Sequence, residues 1–180
     1  MRAGLSHIMG RVSRRAVFSA LVAIVAAAAW AITTATGTRG GTAGGAQDAQ
    51  VIRVVDGDTI VAQLASGAQE RVRLIGIDTP ESVKPGTPVQ CFALKASAFT
   101  KHVLTGRAVR LVPDVEARDR YGRMLAYVYR RPDGLFVNAE LARRGFAVTL
   151  TIPPNVRFEG EFRALARQAR EAGRGLWSAC

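Results

Sequence analysis

Nine residues, Arg73-Leu-Ile-Gly-Ile-Asp-Thr-Pro-Glu81, constrain the fold more than any other part of this chain. Leu74, Ile75 and Ile77 form an apolar run that reads as a buried strand. Pro80 ends it, because proline has no N–H to give to a ladder. The run is edged by polar groups, with Arg73 at one end and Asp78, Thr79 and Glu81 at the other. Upstream, Val54-Val-Asp-Gly-Asp-Thr59 places Asp56 and Asp58 on a tight turn between two strand patterns, and Gly57 is expected to take a positive φ there. An acid-rich turn beside an acid-rich strand end suits a hard cation that prefers oxygen ligands. The arginine would then face a phosphate held by that cation.

This arrangement contains a conflict. Strict alternation puts Arg73 and Asp78 on opposite faces of a flat strand. Both reach one site only if the strand coils or bulges, and Gly76 is the position free to allow it. A break in regular pairing is predicted near Gly76.

The surrounding patterns supply a fold. Val51–Val55, Thr59–Leu64 and Arg71–Ile77 read as three short strands joined by turns, an antiparallel meander. Glu81–Pro88, which contains Lys84, reads as an exposed loop. A helix is expected from Val89 to Leu104, with Phe92, Ala96, Phe99 and Val103 facing the core. Val109–Val112 and Leu125–Tyr129 are two further strands, separated by the charged loop 114–123. Asn138 is placed to cap a short helix that Gly145 ends. A last helix over Phe158–Ala172 buries Phe162, Leu165, Ala166 and Ala169, and turns Arg163, Arg167 and Arg170 to solvent. Trp177 packs the tail back onto the body. Five strands with a helix after the third, and about three helices in all, is the element order of an α+β, mainly β, OB-fold Greek-key barrel.

Charge and composition narrow the chemistry. The first 48 residues hold five arginines and one acid, so of the net charge of +11 the remaining chain carries +7. A basic domain points to a polyanion, nucleic acid before anionic membrane. His7 and His102 are the two histidines. His102 sits on the polar side of its helix, so histidine-based acid–base chemistry is excluded in favour of carboxylates, arginines and a metal. Residues 1–32, a basic leader followed by the apolar, Ala-rich stretch Ala16–Ile32, read as a signal peptide or an N-terminal membrane anchor. Residues 33–48 read as a flexible linker, and 49–180 as the exported domain, secreted or held in the periplasm or cell envelope.

Three segments in register then resemble the staphylococcal nuclease (thermonuclease) family: Asp56-Gly-Asp-Thr59, Arg73 to Glu81, and Asp119-Arg-Tyr-Gly-Arg123. Ala96-Ser-Ala-Phe-Thr-Lys101 and Gly175-Leu-Trp-Ser178 fit as well, so the resemblance covers about Gln50 to Ser178. It implies a calcium-dependent phosphodiesterase that cuts DNA and RNA with little sequence preference. Carried over by position, Asp58 and Asp78 would be Ca2+ ligands through their carboxylates, and Thr79 through its carbonyl. Glu81 would orient or deprotonate the attacking water. Arg73 and Arg123 would grip the scissile phosphate, while Arg120 and Tyr121 would contact a neighbouring one. One departure stands out: where the family's prototype has two tyrosines lining a base pocket, this chain has Val148-Thr-Leu-Thr-Ile-Pro-Pro-Asn155, with no aromatic residue.

Cys91 and Cys180 in an exported chain favour an intramolecular disulfide over two free thiols or a bond between chains. A monomer is expected, with membrane contact only through an uncleaved leader. Two other readings remain open. The aspartates could be turn residues while the arginines bridge Glu81 or Asp119. Alternatively, the domain could be a non-catalytic OB module that binds nucleic acid in the envelope.

Overall fold

A computed structural model describes residues 45–180 apart from Lys84. The leader and the N-terminal part of the linker therefore lie outside the described residues. Five strands close into a barrel in the order β1-β2-β3-β6-β5. They are β1 (Gln47–Val54), β2 (Thr59–Leu64), β3 (Gln69–Leu74), β5 (Ala108–Val112) and β6 (Met124–Arg130). The meander is antiparallel as expected, and closure comes from a parallel β3–β6 pair and an antiparallel β1–β5 pair. The inward side chains, among them Val51, Ile60, Val72, Leu74, Val109, Leu111 and Val128, are almost fully buried. That closed apolar interior leaves the chemistry to one rim.

Strand β1 starts at Gln47, four residues before the apolar pattern does, because Gln47 and Asp48 pair with Leu111 and Arg110 of β5. Those pairs are made by backbone, so hydrophobic alternation gave no sign of them. The ladder slips at Ile52, a bulge between Val51 and Arg53, which lets Val51 and Val54 both face inward although three residues apart.

The predicted break at Gly76 is present. β3 ends at Leu74, and a separate strand β4 (Gly76–Asp78) leaves the barrel to pair with β7 (Val148–Leu150) in a two-stranded sheet. Gly76 has φ +83°, and a Cβ there would stand 2.2 Å from Cε2 of Phe162. Asn138 secures the handover. It is not the helix cap that sequence suggested: it lies within α2 (Val137–Arg143), whose N-cap is Phe136. Its fully buried amide donates to the Ile75 carbonyl (2.9 Å) and accepts from the Val128 N–H (2.9 Å). It thereby satisfies backbone groups that lose ladder partners where the strand divides.

Helix α1 (Ala93–Leu104) begins four residues later than its hydrophobic period implies. Phe92, in the left-handed region at φ 68°, interrupts it, and Cys91 just before is bonded to Cys180. The intramolecular disulfide is thus formed. Phe92 and Phe99 pack on Phe146 with ring centroids 5.4 and 4.6 Å apart, and His102 is exposed as anticipated. Helix α3 (Glu159–Glu171) buries Phe162, Ala166 and Ala169. The tail helix α4 (Leu176–Ala179) docks through the Leu176 N–H to the Gly145 carbonyl, with Arg170 stacked on Trp177.

Candidate active site

The turn between β1 and β2 is compressed from both sides. Thr100 of α1 donates to the Gly57 carbonyl at 2.7 Å, and Thr79 approaches so closely that a Cβ on Gly57 would lie 2.6 Å from Thr79 Oγ1. Glycine is required at 57 for that approach. The positive φ expected there is not what the turn uses, since Gly57 is absent from the left-handed glycines.

The approach delivers Asp58 to the strand end. Asp58 is 5% exposed, and its Oδ2 accepts from the Thr79 N–H (2.8 Å) and Thr79 Oγ1 (3.0 Å). Its other oxygen accepts from Thr59 Oγ1 at 3.2 Å and faces Arg73 Nε at 3.2 Å. Arg73 also donates through Nη2 to Asp78 Oδ1 at 2.7 Å and through Nη1 to the carbonyls of Ile77 (2.9 Å) and Leu74. One guanidinium therefore joins two carboxylates from separate elements, and the departure of β4 at Gly76 is what lets Asp78 reach it. Both aspartates face one cationic position, the Arg73 guanidinium.

Negative charge is concentrated around this point. Burial first, and then the Asp58 carboxylate, push the Asp56 carboxyl up to about 6. Burial likewise raises Asp78, with the charges of Asp58 and Glu81 adding to it against the opposing pull of Arg73. Like charges gathered beyond what one arginine neutralises leave the cluster short of positive charge. Among the described residues no three acid, His or Cys side chains enclose an ion by themselves. The donors are all oxygens, and Asp58 and Asp78 already converge on a cation. This set fits a hard divalent ion completed by water and phosphate oxygens.

Glu81 stands at the mouth of the loop that joins β4 to α1. Its N–H donates to Gln90 Oε1 (2.7 Å), its carbonyl accepts from the Gln90 N–H (3.0 Å), and its Oε1 accepts from the Val83 N–H (2.8 Å). Gln90 thus clasps both ends of the loop next to the disulfide.

The opposite wall comes from loop 114–123. Asn155 ties the loop down by bonding both the N–H and the carbonyl of Glu116, at 2.8 and 2.9 Å. Asp119 then organises its tip, accepting from the backbone N–H groups of Tyr121 and Arg123 and from Arg123 Nε at 2.7 Å. The proposed structural bridge between Arg123 and Asp119 therefore exists. Even so, Arg123 still lines, together with Arg73, a cavity of about 420 Å³. Tyr121, 68% exposed, lies under the guanidinium groups of Arg120 (4.9 Å) and Arg123 (5.4 Å). Leu150 and Ile152, from the stretch 148–155 that has no aromatic residue, line the cavity together with Leu125.

Sequence reasoning left Gln90 out of the site, and counted Asp56 in the acid-rich turn without naming it among the ligands. Its place as the first acid of the Asp-Gly-Asp turn was the usable signal for Asp56. Gln90 had none, since an isolated glutamine carries no pattern.

A small closed barrel with an acid cluster, two arginines and a cavity on one rim is an OB-fold carrying a strongly charged site. Comparison with known proteins places it further. The family model described as staphylococcal nuclease homologue matches residues 71–179. The chain is 43% identical over 132 residues to a thermonuclease of Staphylococcus hyicus, covering 73% of this chain and 76% of that protein. It is 46% identical over 127 residues to a thermonuclease of Staphylococcus intermedius, covering 71% and 74%. An endonuclease of Bacillus subtilis is 36% identical over 128 residues, 70% of this chain and 59% of that protein. The chain belongs to the staphylococcal nuclease family, and the enzyme class that its motifs implied, a nuclease, stands.

Proposed function

We propose that the chain hydrolyses phosphodiester bonds of DNA and RNA, with little sequence preference, as a calcium-dependent nuclease acting outside the cytoplasm. The observation that carries this reading is the placement of Arg73, which touches Asp58 and Asp78 on one side and lines the cavity shared with Arg123 on the other. The Cys91–Cys180 bond supports an oxidising compartment.

Asp58, Asp78 and the Thr79 carbonyl are the groups that would hold the ion, which when bound supplies Lewis-acid polarisation of a phosphate oxygen. The chain's own part is electrostatic and positional. The guanidinium groups of Arg73 and Arg123 bind the remaining phosphate oxygens and stabilise the charge that grows as phosphorus becomes five-coordinate. The Glu81 carboxylate, whose Oε1 accepts from the Val83 N–H while Gln90 clasps the Glu81 backbone, orients the attacking water or takes its proton. Arg120 and Tyr121 engage the adjoining nucleotide. Leu150 and Ile152 offer a base an apolar surface without aromatic stacking, a contribution of about 1–3 kcal/mol per base where it exists. Base affinity is correspondingly lower, while the phosphate chemistry is unaffected.

The test is cleavage of single-stranded DNA and RNA by the purified chain in calcium and then in chelator, alongside Glu81→Ala. Cleavage that needs calcium and is lost in the variant with affinity retained supports the reading. Binding without cleavage in calcium would leave a nucleic-acid-binding module instead.

A further inference from the structure

Two cations outside the cavity play no part in the scheme above. Arg53 on β1 and Arg71 on β3 are both exposed, and each is the register partner of Val61 on the intervening strand β2. Opposed residues of antiparallel strands project to one face, so Arg53, Val61 and Arg71 form a row across the outside of the barrel. Two strand spacings set the arginine backbones about 10 Å apart. Val61 is only 8% exposed although it faces outward, as expected of a valine flanked by two arginine stems.

This row runs into the site. Arg71 is two residues from Arg73, on the same face and about 7 Å along the strand. On its other side β3 pairs in parallel with β6, Val72 opposite Met124. Arg123 is the residue just before that first β6 partner. The row therefore runs to Arg73 of the cavity and ends near the start of β6.

Its charge is also uncompensated. Among the described residues the side chains of Arg53 and Arg71 are in no ion pair. Elsewhere on the surface Arg118 pairs with Glu70, Arg130 with Asp133, Arg131 with Asp48 and Arg163 with Glu159. The outward positions beside the row on β2 and β3 are Thr59, Gln63 and Gln69, none of them acidic, and on β1 the acid near the strand end, Asp48, is already paired with Arg131. A narrow line of cations leading from a phosphodiester site matches the repeated phosphates of one strand. A layer of lipid headgroups would be met by a broad basic face.

We infer that Arg53 and Arg71 hold phosphates of the substrate strand beyond the scissile bond, so that the preferred substrate is a polynucleotide lying across the outer face of β1–β3. This inference rests on the nuclease reading. The experiment compares the full chain with Arg53→Gln/Arg71→Gln on a fluorescein-labelled 12-nucleotide single strand and on a dinucleotide too short to reach the row. In calcium, kcat/KM for the 12-mer falls about tenfold, and the 12-mer-to-dinucleotide ratio falls with it. The log–log salt slope for 12-mer binding becomes shallower by roughly 1.4, about 0.7 for each lost phosphate contact. Arg53→Lys/Arg71→Lys recovers most of the loss, and matching thermal unfolding curves show that all three proteins are folded. An unchanged ratio and salt slope overturn the inference. So does a loss confined to binding of phosphatidylglycerol vesicles. If the unaltered chain cleaves neither substrate, the nuclease reading fails. Binding of the 12-mer in chelator then tests the row independently, supporting it if the Gln variant binds more weakly and overturning it if not.

Discussion

Phe162 of α3 lies against the bare α-carbon of Gly76, where a Cβ would stand 2.2 Å from Phe162 Cε2. That contact, with φ +83° at the same residue, fixes the point at which β3 gives way to β4. Gly76→Ala is expected to destabilise the fold by about 2–4 kcal/mol, from a disfavoured backbone together with overpacking. Adding Phe162→Leu should recover the packing part but not the backbone part. Urea unfolding of the single and double variants measures both, and a neutral Gly76→Ala would show that the strand break does not depend on this glycine.

Arg73 is predicted to be irreplaceable by another cation. It uses Nε and both terminal nitrogens at once, and lysine offers a single ammonium. Arg73→Lys should lower kcat by two to three decades, about 3–4 kcal/mol of barrier, with a much smaller change in substrate affinity. Equal losses in kcat and affinity would assign Arg73 to ground-state binding alone.

Asp56 gives the metal-free protein a pH dependence whose sign can be worked out. Its folded-state pKa of about 6 exceeds the ordinary 3.8, so folding takes up a proton between these values. The stability this group contributes is complete below pH 3.8 and is lost as the pH rises through about 6. Asp56→Asn carries no such charge and should stabilise the metal-free chain at pH 7.5 by on the order of 1 kcal/mol, allowing for solvent screening. At pH 3.5 the gain should vanish. Urea unfolding in chelator at both pH values checks it, and an equal gain at both would trace the effect to something other than the proton.

The disulfide closes a loop of 89 residues beside the Gln90 clasp. Cys91→Ala/Cys180→Ala should cost about 2–4 kcal/mol of stability, short of the roughly 4–5 kcal/mol chain-entropy limit. It should also reduce kcat severalfold as the 81–90 loop loosens. Gln90→Ala with the disulfide intact should lower kcat with little loss of stability, which separates positioning of Glu81 from global folding. Unchanged kcat in both variants would remove the clasp from the catalytic account.

Much of this site was legible because its residues carry patterns. The apolar run from Leu74 to Ile77, ended by Pro80, marked the strand, and the conflict between Arg73 and Asp78 foretold the break at Gly76. The Asp119–Arg123 loop and the cysteine pair were equally readable. Features made by backbone or by long-range packing were not. Gln47 and Asp48 joined β1 through main-chain pairs with β5, which no side-chain period records. Asn138 looked like a helix cap because asparagine so often is one, yet tertiary demand for its amide at Ile75 and Val128 prevailed. Gly57 was assigned to a left-handed turn, when its role is to make room for Thr79, a contact 22 residues away in the chain. Helix α1 began late because Phe92, not a residue that signals a break, holds the left-handed backbone.

Strand β4 carries Asp78 opposite Val148 and Gly76 opposite Leu150. The acid that Arg73 holds and the aliphatic shelf of the cavity are thereby stitched into one short ribbon standing outside the barrel. Whatever presses on Leu150 presses on the segment that aims Asp78. In this architecture the shelf and the carboxylate share one backbone pairing, so a change that displaces Val148–Leu150 also displaces the strand that carries Asp78.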